Sequence, residues 1–237
     1  MDFGIIFTRE TMRLYAHGVG VTLELLVASL AIGAILSLPL AVLRASDKSM
    51  VSRPVWLFTY LIRGTPLLLQ VYLIYYGVAQ LPWIQQRWND IWPWTWFKGP
   101  LFCTLFAFTI NTTAYTIEII AGALRSTPAG EIEAAASLGM NNSTRLLHII
   151  LPSALRRSLP AYGNEVILML QATSVASVVP SLIDLTGAAG SVYSTYYLPF
   201  EAYVTAGAIY LVLTFVLIAV LRMAERRWVK TAYPLGT

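Results

Sequence analysis

Residues 202–221 carry no charge at all, and that stretch restricts the fold more than any other feature of the chain. As a helix it would be about 30 Å long, which is the thickness of a bilayer's hydrocarbon core. Four further stretches are comparable. Residues 19–43 are interrupted only by Glu24, residues 54–80 by Arg63, residues 101–124 by Glu118, and residues 161–180 by Glu165. The last of these is the least hydrophobic. The expectation is an all-α integral membrane protein with five transmembrane helices. Composition agrees, since 57% of residues are hydrophobic and 12% charged, about half the charge of a soluble domain. That balance argues against a soluble fold, disorder or nucleic-acid binding. The single cysteine, Cys103, excludes an intrachain disulfide and a Cys-rich metal site. A length of 237 residues leaves no room for a catalytic domain beside the spans.

Residues 1–18 contain Asp2, Arg9, Glu10 and Arg13, and the apolar run behind them is too long for a cleaved signal. Phe3, Ile5, Ile6 and Phe7 suggest a short interfacial helix there. Residues 19–222 then form the membrane domain and 223–237 a tail. Basic residues set the orientation. Arg44, Lys48 and Arg53, then Arg125, Arg145, Arg156 and Arg157, then Arg222, Arg226, Arg227 and Lys230 fall on one side. Only Arg9, Arg13, Arg87 and Lys98 fall on the other. The N-terminus is therefore expected outside and the C-terminus in the cytoplasm, with the net charge of +4 reporting topology. Trp83, Trp88, Trp92, Trp94 and Trp96 crowd one outer loop. They either lie at the headgroup level or pack on the protein itself.

The cytoplasmic segment 125–160 has a structure of its own. Thr127-Pro128 suits a helix N-cap with proline in the first turn. Glu131 and Glu133 sit at the favourable end of the helix dipole, and Ala134, Ala135 and Ala136 extend the helix. Gly139 permits a stop. Asn141, Asn142 and Ser143 suit the cap of a second short helix, which Pro152 is expected to terminate.

The residues Glu133-Ala134-Ala135, three others, Gly139, nine others, Ile149, one other, and Leu151-Pro152 fill twenty positions. This pattern resembles the EAA loop of ATP-binding-cassette (ABC) importer permeases at every specified place. Arg63-Gly64-Thr65-Pro66 with Gln70 is similar to the polar amino-acid uptake branch of that family. So are Asn111-Thr112-Thr113-Ala114-Tyr115 with Glu118, and the run from Ala161 to Leu170. Within the branch the likeness is to M-type subunits of histidine and lysine/arginine/ornithine importers and their arginine/ornithine homologues. The resemblance implies a type I importer permease fold in the bacterial inner membrane. It also implies partners: two cytoplasmic ATPase subunits, a second permease subunit (a Q-type relative or a second copy) and a periplasmic solute-binding protein. Glu133, Ala134, Ala135, Gly139, Ile149, Leu151 and Pro152 would then couple the chain to the ATPase. The chain has no Gly-Lys dipeptide, hence no phosphate-cradling P-loop. ATP and magnesium would belong to the partner, with no cofactor, metal or catalytic residue on this chain.

Ionisable groups inside spans face the bundle interior or a cavity, so Glu165 is the first candidate for substrate contact, suited to a cationic side chain or an α-ammonium. Its alternative is a structural pair with Arg63 or a loop arginine. A mid-membrane position for it requires the fourth helix to begin before Ala161 or to unwind. Asn111, Asn164, Thr112, Tyr115 and Gln171 are further substrate candidates. Thr104, Asn111 and Glu118 recur every seven residues and share a face. Arg63, Glu118 and Glu24 are expected to be structural or gating charges, with Glu24 packed against other helices. The cargo suggested is a basic amino acid, with neutral or acidic polar amino acids as the alternative. A stand-alone secondary transporter would need an internal repeat, and a membrane hydrolase a nucleophile–base pair. Neither is visible.

Overall fold

The computed structural model describes residues 3–87 and 94–230, all of whose regular elements are helical. In chain order the α-helices among them are α1 (Arg9–Ala45), α2 (Ser49–Arg63), α3 (Leu67–Tyr72), α4 (Pro82–Gln85), α5 (Pro100–Arg125), α6 (Ala129–Ser137), α7 (Asn142–Arg145), α8 (Leu151–Ala172), α9 (Leu185–Tyr196) and α10 (Pro199–Lys230). Three helices, α1, α5 and α10, are long and apolar enough to cross a membrane. The α2–α3 pair adds a fourth if it counts as one bent span.

α1 and α5 form the centre, and their closeness has a cause in the sequence. A Cβ on Gly33 of α1 would meet Thr112 Cγ2 of α5 at 2.7 Å, so only glycine lets the two backbones approach there. Around this crossing, Leu25, Leu26, Val71, Phe108, Met169 and Leu170 make the main apolar core. At one end of the molecule α9 packs on α1 and α10 through Tyr15, Leu185, Ala189, Val192 and Ala202. Asp184 caps α9, accepting from Thr186 N and Gly187 N, and Tyr15 Oη donates to Ala202 O at 2.9 Å. The opposite end carries α6 and α7.

Several expectations are revised. α1 runs unbroken from Arg9, capped by Thr8. Among the described residues no separate interfacial helix precedes it: residues 4–7 form turns, with Ile6 buried in the α9-end cluster and Phe7 exposed. Within this chain Glu24 is exposed, not buried between the described helices. It lies on the exposed face of α1, because its neighbours Leu25 and Leu26 take the core-facing positions. The stretch 54–80 is not one straight helix, since α2 and the segment from Leu67 to Gln80 meet at 99°. Pro66 bars helical geometry for the residue before it, and its own backbone is extended.

The fourth apolar stretch also differs. α8 begins at Leu151, ten residues before Ala161. Pro152 does not terminate a helix: α7 passes through a π-helical turn, Leu146–Ile150, into α8, and Pro152 lies in the first turn, where a missing N–H costs little. α9 itself was not expected from the sequence. Of the outer tryptophans, Trp83 packs edge-on against Trp94 and Trp96 packs against Phe102. Trp83 and Trp96 nevertheless remain about half-exposed, and Trp88 and Trp92 lie outside the described residues.

Candidate functional site

Two places gather the residues singled out by sequence. The first is a cleft of roughly 410 Å³ at the α2–α3 elbow, lined by Arg63, Asn111, Tyr115, Glu165, Leu168 and Met169 together with the elbow backbone. The helical period explains the selection. Glu165, Leu168, Met169 and Ala172 follow one face of α8, and Asn111 and Tyr115 one face of α5. Because α8 starts at Leu151, Glu165 stands about 21 Å along the helix and is buried.

The elbow builds the cleft wall. Bending frees main-chain carbonyls that a straight helix would use, and Gln70 takes them up. Its Nε2 donates to Ile62 O at 2.7 Å, Thr65 O at 3.1 Å and Thr65 Oγ1 at 2.9 Å. Its Oε1 accepts from Asn111 Nδ2 at 3.0 Å. Asn111 thus lines the cleft with its amide nitrogen committed to the elbow. The Arg63 guanidinium lies 5.1 Å from the centre of the Tyr115 ring, an attraction of the cation–π kind. Among the described residues no ion pair joins Arg63 to Glu165. The cleft therefore offers a cation and a carboxylate to the same space.

Three of the expected substrate residues lie elsewhere. Asn164 and Gln171 are on the exposed side of α8, a helical step away from the cleft-lining row. Thr112 is buried against α1 at the Gly33 crossing, outside the cleft lining but with its side chain next to the Glu165 carboxyl group. Glu118 is drawn away from Asn111 despite the shared spacing. It accepts from Arg44 Nε and Thr59 Oγ1, both at 2.7 Å, tying α5 to α1 and α2. The Arg44 carbonyl in turn accepts from Ser52 Oγ and Arg125.

The second place is the α6 end. α6 starts one residue later than expected. Pro128, not Thr127, occupies the cap position, and the Thr127 hydroxyl donates instead to Leu124 O. Gly139 has φ +75°, a left-handed backbone that lets its own N–H reach Ala136 O and the next reach Ala135 O. The chain then turns back, Asn141 Oδ1 accepting from Thr144 N. This return brings Ala134 and Ala135 opposite Ile149 and Pro152 across a groove of about 390 Å³, while Leu151 joins the cluster around Ala41 and Ile120 behind it. Glu133 and Ala134 face outward, as does Leu138, which is 82% exposed.

Sequence reasoning missed Leu138, Gln70 as the elbow clamp, and Arg157. The last was counted only as a topological charge, although its i, i+4 spacing from Ser153 was a local signal. Arg157 donates to Ala123 O at 3.1 Å, Thr127 Oγ1 at 2.8 Å and Ser153 Oγ at 2.5 Å, and lies 3.8 Å from Glu131.

Comparison with known proteins gives a consistent result. The family model for the inner membrane component of binding-protein-dependent transport systems matches residues 25–230. The chain is 44% identical over 222 residues to the histidine/lysine/arginine/ornithine transport system permease protein HisM of Escherichia coli (strain K12), covering 93% of this chain and 91% of that protein. It is 42% identical over 225 residues to the nopaline transport system permease protein NocM of Agrobacterium fabrum, covering 95% and 91%. Among solved structures, an amino acid ABC transporter crystallised with histidines superposes with a TM-score of 0.80 at 32% identity, over 96% of this chain and 99% of that one. The MetNI methionine ABC transporter shares the fold with a TM-score of 0.75 at 18% identity, over 94% and 99%.

Proposed function

The chain belongs to the family of inner membrane components of binding-protein-dependent transport systems, and from that premise we propose that it is the permease subunit of an ABC importer that moves basic amino acids. The observation that carries the cargo is the cleft at the elbow. Glu165 and Arg63 both face it without pairing to each other, which suits a molecule bearing separated positive and negative groups. An amino acid's carboxylate would meet Arg63, and its cationic side chain would meet Glu165. Relatives named for histidine, lysine, arginine and ornithine transport, and for nopaline transport, support this choice.

In this reading the protein crosses the bilayer five times, with α8 as the fourth span and a type I permease fold. Its low apolarity suits a helix that lines the pathway, where water and ligand replace lipid. The N-terminus lies outside and the α6 end faces the cytoplasm. α6 docks on one of two partner ATPases, with Glu133, Ala134 and Leu138 as its contact face. A second permease subunit completes the pathway, and a soluble binding protein delivers the ligand from outside. ATP is bound and hydrolysed by the partners, so this chain works as a transport subunit.

The test is uptake by the reconstituted complex with its binding protein. Arginine, lysine, ornithine or histidine should enter in an ATP-dependent manner. Glu165→Gln should weaken their uptake by about tenfold or more, the scale of one lost charge-assisted contact. Uptake driven by an ion gradient would overturn the importer assignment. Unchanged uptake in Glu165→Gln would remove that residue from the site.

A further inference from the structure

α6 has nine residues, too few to hold a helical shape or a fixed direction without tertiary support. A docking helix of that length transmits movement only if something ties it to the spans. Ala135 supplies one small buried contact. The larger tie is Arg157.

The planar guanidinium of Arg157 meets four segments at once. One nitrogen, Nη2, donates to Ala123 O in the last turn of α5 and to Thr127 Oγ1 in the linker before α6. The other, Nη1, donates to Ser153 Oγ one turn back on α8 and lies 3.8 Å from Glu131 Oε1 in the first turn of α6. Arg157 and Glu131 are each about a quarter exposed, so this pair is shielded more than a surface ion pair. The outward face of α6, with Glu133, Ala134, Ala136 and Leu138, is untouched by it. On the same helix Glu165 follows about 12 Å further along.

We propose that Arg157 is the positioning residue that makes α6, the end of α5 and the start of α8 move as one body, so that displacement of α6 reaches the Glu165 cleft. This rests on α6 being the helix that docks on the ATPase. A forked group is required, because the acceptors are divided between its two terminal nitrogens and a lysine ammonium reaches only part of them. The Arg157 contacts are inside the joint, so removing them separates docking from transmission.

The experiment compares Arg157→Gln, Arg157→Lys and Thr127→Val in the reconstituted complex. It measures co-purification with the ATPase, basal ATP hydrolysis, and hydrolysis and uptake stimulated by the arginine-loaded binding protein. Arg157→Gln should retain the ATPase and its basal hydrolysis while stimulated hydrolysis and uptake fall by about tenfold or more, with Arg157→Lys and Thr127→Val losing a few-fold, in keeping with loss of one or more charge-assisted bonds. Stimulation within twofold of the unmodified protein in Arg157→Gln or Arg157→Lys would overturn the proposal. So would loss of assembly in Arg157→Gln with normal stimulation in Thr127→Val, because Arg157 would then serve folding alone. ATP-independent uptake by the unmodified complex would instead sink the importer reading, whatever the variants do.

Discussion

A 99° elbow within a membrane segment leaves main-chain carbonyls without their helical donors, and lipid offers none. At Gly64–Pro66 the side chain of Gln70 meets that demand, reaching Ile62 O, Thr65 O and Asn111 together. Gln70→Leu keeps a similar volume but strands Thr65 O and Asn111 Nδ2, while Ile62 O keeps Thr65 N and Thr65 Oγ1, so it should destabilise the protein by about 1–3 kcal/mol for each buried polar group left unpaired. The readout is the unfolding midpoint in detergent, and an unchanged midpoint would show that water or backbone adjustment replaces Gln70. The sequence showed that Glu165 and Arg63 were costly and needed a reason. It did not show that they share a cleft without pairing, because that depends on where α8 starts and how sharply α2 ends. Asn164 and Gln171 illustrate the limit: adjacency to Glu165 or a polar side chain in the same span says nothing of which side of the helix faces the cavity.

The elements at the α6 end were more legible than those in the membrane. The glycine stop, the Asn141 cap and the outward Glu133 all follow from local rules. Gly139 is the sharpest case, with φ +75°. An L-residue there costs about 1–2 kcal/mol, so Gly139→Val should splay α6 from Ile149 and Pro152 and reduce ATPase co-purification, measured on detergent-solubilised complex. Retention equal to the unmodified protein would mean that the turn is not needed for docking. Pro152 was misjudged for a physical reason. Proline breaks a helix when it removes an interior hydrogen bond, but a π-helical turn precedes it here, and the helix passes through. The same event places Glu165 about 21 Å into α8, so the helix begins before Ala161, as a mid-membrane position requires.

At the scale of the whole molecule, a bundle centred on one close crossing carries a cleft at its elbow and a compact joint at one end. Its orientation is open to direct measurement. Cys103 is buried and gives little background to a membrane-impermeant maleimide. Ser137→Cys in α6 should be labelled only when the cytoplasmic side is accessible, and Ser194→Cys in α9 only from outside. The reverse pattern would invert the topology. The long apolar stretches were visible from hydrophobicity, but α9 was not, since its twelve residues are too short to stand out beside stretches of twenty.

The exposed position of Glu24 on α1 carries a consequence for the membrane itself. Between Glu24 and Arg44 lie residues 25–43 without a charge, about 28 Å of helix against a hydrocarbon thickness of about 30 Å. Arg44 is anchored to Glu118, whereas Glu24 is on an exposed face. α1 is thus a ruler held near both ends, by Arg44 on α5 and by Tyr15 on α10. A bilayer of different thickness should therefore be met by tilt of the bundle or by local change in the lipid, not by α1 sliding past α5, which keeps the elbow and the α6 joint in register with each other.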